Sequence, residues 1–130
     1  MNMLRTALAS GLAVAVLGAS ASSGWAHHSA AMFDHAKTVT LNGTVKDWKW
    51  MNPHAWIQVM APGPAGASAV EWSVECSSIN ILARKGWSSH SFRPGDKISL
   101  VMHPMKDGTA AGLLLNVATT DGHTLTDHDY

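Results

Sequence analysis

Histidine is the residue type in this sequence most able to do chemistry. The chain has 130 residues and eight histidines. Five of them fall where an imidazole can be used. His27 and His28 are adjacent in "GWAHHSAAMFDHAK" (residues 24–37), and His35 lies near the end of that stretch. His54 follows Asn52-Pro53, and His103 precedes Pro104. Neutral imidazole is the commonest protein ligand for a metal. Nitrogen-rich tetragonal sites select Cu(II), and copper heads the divalent affinity order.

The position of the histidine pair gives this chemistry a definite form. If proteolysis makes His27 the first residue, its α-amine and Nδ1 close a chelate ring on one ion. One further imidazole completes the T-shaped arrangement called a histidine brace, which suits copper. Both nitrogen types are available near neutral pH. His28 cannot easily reach the same ion and is expected as an alternative ligand or an outer contact. His54, in a proline-fixed turn, and His103 are the expected partners, with His35 as a fourth donor. His103 has the parity opposite to Ile98, Leu100 and Met102, so it should point away from a core. The simpler reading makes His27 and His28 a solvated start and the others surface or structural histidines. His90 ranks lower, and His123 and His128 fall in a polar tail.

Softer donors give a second version. Met51, Met60, Met102 and Met105 carry thioethers suited to Cu(I), and Trp48 or Trp50 could cover a cuprous ion. Packing competes with this for most of them, because Met and Trp fill small cores. A different class of function is a metal-free binding module of the cell envelope. Exposed Trp48, Trp50, Trp56 and Trp87 would then form a platform for a glycan or a protein partner.

Catalysis finds little support. Glu71 and Glu75 share one strand face, but a spacing of four residues puts them about 13 Å apart, too far to flank one scissile bond. They read as a solvated face. Cys76 is the single cysteine, so no intramolecular disulfide can form. Its neighbour Glu75 should raise rather than lower the thiol pKa. Neither a nucleophile elbow, a zinc-protease helix nor a phosphate loop is present. No catalytic residue is assigned, and a non-enzyme is expected.

Residues 1–26 read as a secretory signal peptide. Arg5 supplies the positive start, and Leu8–Ala19 is an uncharged apolar run, shorter than the roughly 17–25 residues that cross a bilayer. Small residues at cleavage spacing allow a cut after Ala21 or after Ala26. Only the second makes His27 terminal. The expected location is periplasmic or secreted, with no transmembrane segment in the mature chain. The cut removes Arg5 from a balance of nine basic and nine acidic residues. Nothing basic enough to grip nucleic acid remains.

The elements that must position these residues are short strands. In "TVTLNGTVKDWKW" Val39, Leu41, Gly43 and Val45 share a face, and then Trp48 and Trp50 take the other parity. A one-residue slip beside a glycine predicts a bulged, sharply curved strand. Ala55–Met60 and Val70–Glu75 alternate as strands around the Pro/Gly-rich loop 61–69. Ile79, Leu82 and Ala83 fall at helical spacing, with Ser77 or Ser78 to cap the start and Gly86 to end a helix over Ile79–Lys85. Lys97–His103 and Gly112–Thr119 are two more strands, joined through Asp107-Gly108. Three strands, a helix and two strands predict a five-stranded OB-like barrel over residues 27–120, followed by a flexible tail at 121–130. The alternative is a small β-sandwich.

The elements "AHHSAAMFD", "GTVKDWKWMNPHAWI", "RKGW", "PGDKISL" and "HPMKDG", in this order, resemble a family of small exported bacterial proteins classed as a domain of unknown function. The resemblance covers nearly the whole mature chain. It implies export and a small β-barrel and carries no catalytic residue across. Here "SSINIL" stands where the family has Ser-Pro at the helix start.

Overall fold

The computed structural model describes residues 30–128. The expected signal peptide, and His27 and His28 after it, lie outside the described residues. The strands are β1 (Val39–Lys49), β2 (Trp56–Pro62), β3 (Ala69–Glu75), β4 (Lys97–Pro104), β5 (Ala111–Thr119) and β6 (Thr124–Thr126). One α-helix, α1 (Ile79–Arg84), joins β3 to β4. β1 is antiparallel to both β2 and β4, β2 to β3, and β4 to β5. A short parallel pairing of β3 with β5 closes the ring. This is the expected OB-like barrel, mixed and closed, with β6 added outside it.

β1 explains why a barrel forms and not a sandwich. Its residues Val39–Thr44 pair with β4, and Thr44–Lys49 pair with β2. One strand therefore belongs to both walls and must bend between them. Gly43 sits at the changeover. A Cβ there would lie 2.7 Å from Met60 O and run into the Val59 side chain, so only glycine lets β2 come this close. The register then slips between Val45 and Asp47, leaving Lys46 as the extra residue of a bulge. That slip is the change of parity seen in the sequence. It lets Leu41 and Val45 enter the core and still turns Trp48 against it.

Inward residues of every barrel strand meet in one cluster, with Ile57, Val59, Val74, Leu100, Met102, Leu114 and Val117 fully buried. α1 contributes Leu82, and Trp87 and Phe92 follow it into the same cluster. Gly86 ends the helix with φ 90°, as expected. The start differs from expectation. No serine side chain caps it: the backbone carbonyl of Ser78 accepts from Ile81 N and Leu82 N. Ser77 turns instead toward the C-terminal segment.

That segment, expected to be flexible, is fastened along 124–128. β6 pairs with Asn116–Ala118. β5 carries its own register shift, in which Leu115 is the residue left over between Leu114 and Asn116. The Leu115 carbonyl accepts the amides of Asp127 and His128 at 2.8 and 3.3 Å. Asp127 is buried, and its Oδ2 accepts Ser77 N–H at 2.7 Å. Trp87 Nε1 donates to Thr126 O at 3.2 Å, and Lys85 Nζ donates to Asp127 O. These anchors are polar groups meeting irregular backbone, so no hydrophobic period announced them.

Gly43→Ala tests the bend. The added methyl meets backbone as well as a side chain, so the expected cost is that of overpacking, about 1–3 kcal/mol. Thermal unfolding followed by circular dichroism should show a fall of roughly 4–8 °C per kcal/mol for a domain of this size. An unchanged midpoint would mean that β1 does not bend against β2 as described.

Candidate metal centre

Residues 30–37 form a strap that lies against the end of β4. Asp34 N donates to Pro104 O at 2.8 Å and Lys106 N to Met32 O at 2.9 Å, flanking an antiparallel bridge between Phe33 and Met105. Lys106 Nζ donates to Ala31 O at 2.8 Å. Phe33 is the apolar anchor, only 3% exposed. A turn closed by Lys37 N donating to Asp34 O at 3.0 Å then leads into β1. The Lys37 ammonium, 3.2 Å from Asp34 Oδ2, and the Ala36 amide hold the half-buried Asp34 carboxyl below its usual range.

The strap brings His35 onto His103. Their ring centres are 4.9 Å apart, with the planes at 62°. Backbone carbonyls fix both tautomers. His35 Nε2 donates to Ala30 O at 2.9 Å, and His103 Nδ1 donates to Lys37 O at 2.7 Å. A carbonyl oxygen can only accept, so each of these nitrogens carries the proton. Nδ1 of His35 and Nε2 of His103 keep their lone pairs and have no partner among the described residues. Metal-binding histidines are oriented in this way, with the second ring N–H held by an acceptor. The carbonyls of Ala30 and Lys37, which orient the two rings, are atoms that side-chain reasoning missed. Only the register of the strap reveals them.

His54 does not join this pair. Its Nδ1 is paired with Glu75 Oε1, on the turn entered through the cis Asn52–Pro53 bond. Glu75 is 8% exposed, so the solvated strand face expected for Glu71 and Glu75 holds only at Glu71, which pairs with Lys46. Glu75 is buried because it lies opposite Leu113 on β5 as well as Trp56 on β2. Leu113 in turn lies opposite His103. Glu75 and His103 are therefore two strand spacings apart, about 10 Å, with Leu113 between them. Among the described residues no group of three or more His, Cys, Asp or Glu is placed to hold a metal ion. His27 and His28 lie outside that search.

The remaining candidates divide between packing and surface. Met102 is core, Met51 and Met60 are exposed, and Met105 is half-buried beside the strap. Trp87, expected on an exposed platform, is 3% exposed and packs with Trp48 and Phe92. Trp48, half-buried, donates its N–H to Ser88 O, and Trp50 and Trp56 are half-buried as well. Cys76 is buried. Desolvation first, and then the nearby Asp127 and Glu75 carboxylates, push its thiol well above its ordinary value. A cluster that sequence reasoning missed joins Ser77, Asp127 and His128. His128 Nδ1 donates to Leu114 O at 2.8 Å, and its Nε2 lies 3.4 Å from Ser77 Oγ. The residues sit at 77 and 127–128, so only tertiary structure unites them. No helix among the described residues is long and apolar enough to cross a membrane.

Two measurements test this geometry. Long-range proton–nitrogen correlation spectra, recorded above the pH at which imidazoles protonate, should show the Nε2–H tautomer for His35 and the Nδ1–H tautomer for His103. The reverse assignment at either ring would show that the strap is seated differently. Cys76 should resist a disulfide reagent in the folded protein and react fully in denaturant.

Comparison with curated proteins and with solved structures found no match. A family model does match, over residues 13–116, and its description is a family of unknown function, DUF6152. The match runs from the expected signal segment through four strands and into the fifth, β5, and the chain belongs to that family.

Proposed function

We propose that this chain is an exported binding protein for a transition metal, most suited to copper, and that His35 and His103 are its ligands among the described residues. The observation that carries the reading is the pair itself. Its ring centres are 4.9 Å apart, and each ring keeps one lone pair while a backbone carbonyl holds the other nitrogen. Two imidazoles bound at about 2 Å from one ion, at an angle somewhat above 90°, put their ring centres roughly 4.5–5 Å apart. The orienting bonds also raise ligand basicity and limit the reorganisation needed on binding.

Two imidazoles alone make a weak site, and the missing donors are sought in the segment before Ala30. His28 precedes Ala30 by two residues in the sequence. Ala30 itself touches His35. If export ends with a cut after Ala26, the α-amine and Nδ1 of His27 join the pair and give a nitrogen-rich set that favours Cu(II). The proposed ligand set is therefore His27, His35 and His103, with His28 as an alternative. His54, whose partner Glu75 lies beyond Leu113 from His103, is left out. The role proposed is binding in the periplasm or outside the cell, without catalysis.

The test is a titration of the protein recovered from the periplasm, after its first residue has been identified. One equivalent of Cu(II) should give an EPR spectrum with nitrogen hyperfine structure. His35→Ala and His103→Ala should each weaken binding by about tenfold or more, and His54→Ala should leave it unchanged. A spectrum lacking nitrogen ligation, or unchanged affinity in the first two variants, would overturn the reading.

A further inference from the structure

The segment 124–128 does more than fasten the barrel, because it sets a histidine against a serine. Ser77 leaves β3 just before α1. Both of its main-chain groups are held. Its N–H donates to Asp127 Oδ2 at 2.7 Å, and its carbonyl accepts the Ala55 N–H at 3.1 Å. Its hydroxyl faces the His128 ring, with Oγ 3.4 Å from Nε2. That ring is held as well. Its Nδ1 donates to Leu114 O at 2.8 Å, and the His128 amide donates to Leu115 O at 3.3 Å. A carbonyl only accepts, so Nδ1 carries the proton and Nε2 the lone pair. The Ser77 hydroxyl is therefore the donor and His128 the acceptor. Asp127 Oδ2 also lies 3.5 Å from Nδ1, and the Asp127 side chain is fully buried. Its Oδ1 has no hydrogen-bond partner among the described residues. A buried carboxylate oxygen without a partner is costly, and this one puts unspent negative charge beside the ring.

We infer that Ser77 is a base-activated nucleophile, a site at which this chain takes up an acyl group from an activated ester. A hydroxyl beside a base whose ring is oriented by a third group is the arrangement that makes a serine reactive. Here His128 is the base, the Leu114 carbonyl fixes its tautomer, and Asp127 supplies the charge beside it. Oγ attacks the ester carbonyl carbon while its proton passes to Nε2. The bond from that carbon to the leaving oxygen then breaks, and the departing alkoxide or phenolate takes the proton from the imidazolium. Serine and ester thus become acyl-serine and alcohol, with no further reactant. The step ends there, and the site shares no residue with the proposed metal site. The 3.4 Å separation is of the loose kind that tightens when a substrate is in place. A reagent can reach it, since the His128 side chain is 37% exposed and Ser77 is half-buried. The residues on either side of Ser77 lack this setting. Cys76 is buried, and the Ser78 side chain makes no bond at the start of α1.

The test offers the protein a fluorophosphonate, in which phosphorus takes the place of the ester carbonyl carbon and fluoride leaves. The intact mass should rise by a single adduct, and peptide mapping should place it on Ser77. The acetyl group of p-nitrophenyl acetate should go to the same serine, with an equimolar release of nitrophenolate. Ser77→Ala should abolish labelling, and Ser78→Ala should leave its rate unchanged. His128→Ala should slow it by about 100-fold or more. Asp127→Asn keeps an acceptor for the Ser77 amide and removes the charge, so it should slow labelling and leave the adduct on Ser77. Circular dichroism identifies the variants that fold. No adduct on the folded unaltered protein, an adduct on another residue, or a rate that ignores His128→Ala in a folded variant would overturn the inference.

Discussion

β1 has to supply hydrogen bonds to two walls that face different ways, and the rest of the molecule depends on the bend that allows this. Pairing with β4 over Val39–Thr44 and with β2 over Thr44–Lys49 turns what would be two stacked sheets into one closed wall. The bend needs a place without a side chain and a place with one residue too many. Gly43 and Lys46 supply them. Once β1 is bent, β4 and β2 lie on opposite sides of the core, and β5 and β3 come close enough to close the ring. The end of β4 then receives the strap. His103 owes its position to β4, and β4 owes its position to β1.

Several side chains share one device, a main-chain carbonyl that holds them in place. Ala30 and Lys37 hold His35 and His103, Leu114 holds His128, and Thr126 holds Trp87. A carbonyl cannot change its protonation state, so it fixes a tautomer without adding a charge that would compete for a cation. The contrast within this protein is His54. There a carboxylate holds Nδ1 and brings an acidic group beside the ring; what separates His54 from His103 is the intervening Leu113 and not the loss of its other nitrogen.

Much of the barrel was legible in the sequence because its signals are periodic. Alternation marked the strands, the parity slip around Lys46 marked the bulge, and Leu82 with Gly86 marked the helix and its end. What was hidden depends on pairings between distant residues. His35 and His103 are 68 positions apart and meet only through the strap register. The same register logic separates His54 from His103, which the sequence had grouped together. Glu75 looked solvated because alternation tells a face from its opposite and says nothing about what covers that face. The Asp127 anchor was invisible for a related reason. A polar residue in a polar tail gives no sign that it will be buried against Ser77.

The seam between β3 and β5 consists of three residue pairs, Ser73 with Ala111, Val74 with Gly112 and Glu75 with Leu113. Every other junction of the cylinder is longer. Gly112 at its middle brings no side chain to bury. The same seam is also spanned by Ser73 N donating to Ala110 O at 3.1 Å and by Ser77 N donating to Asp127 Oδ2 at 2.7 Å. The C-terminal segment therefore acts as a clasp on the shortest junction, and hydrogen exchange along Ala111–Leu113 reports on both.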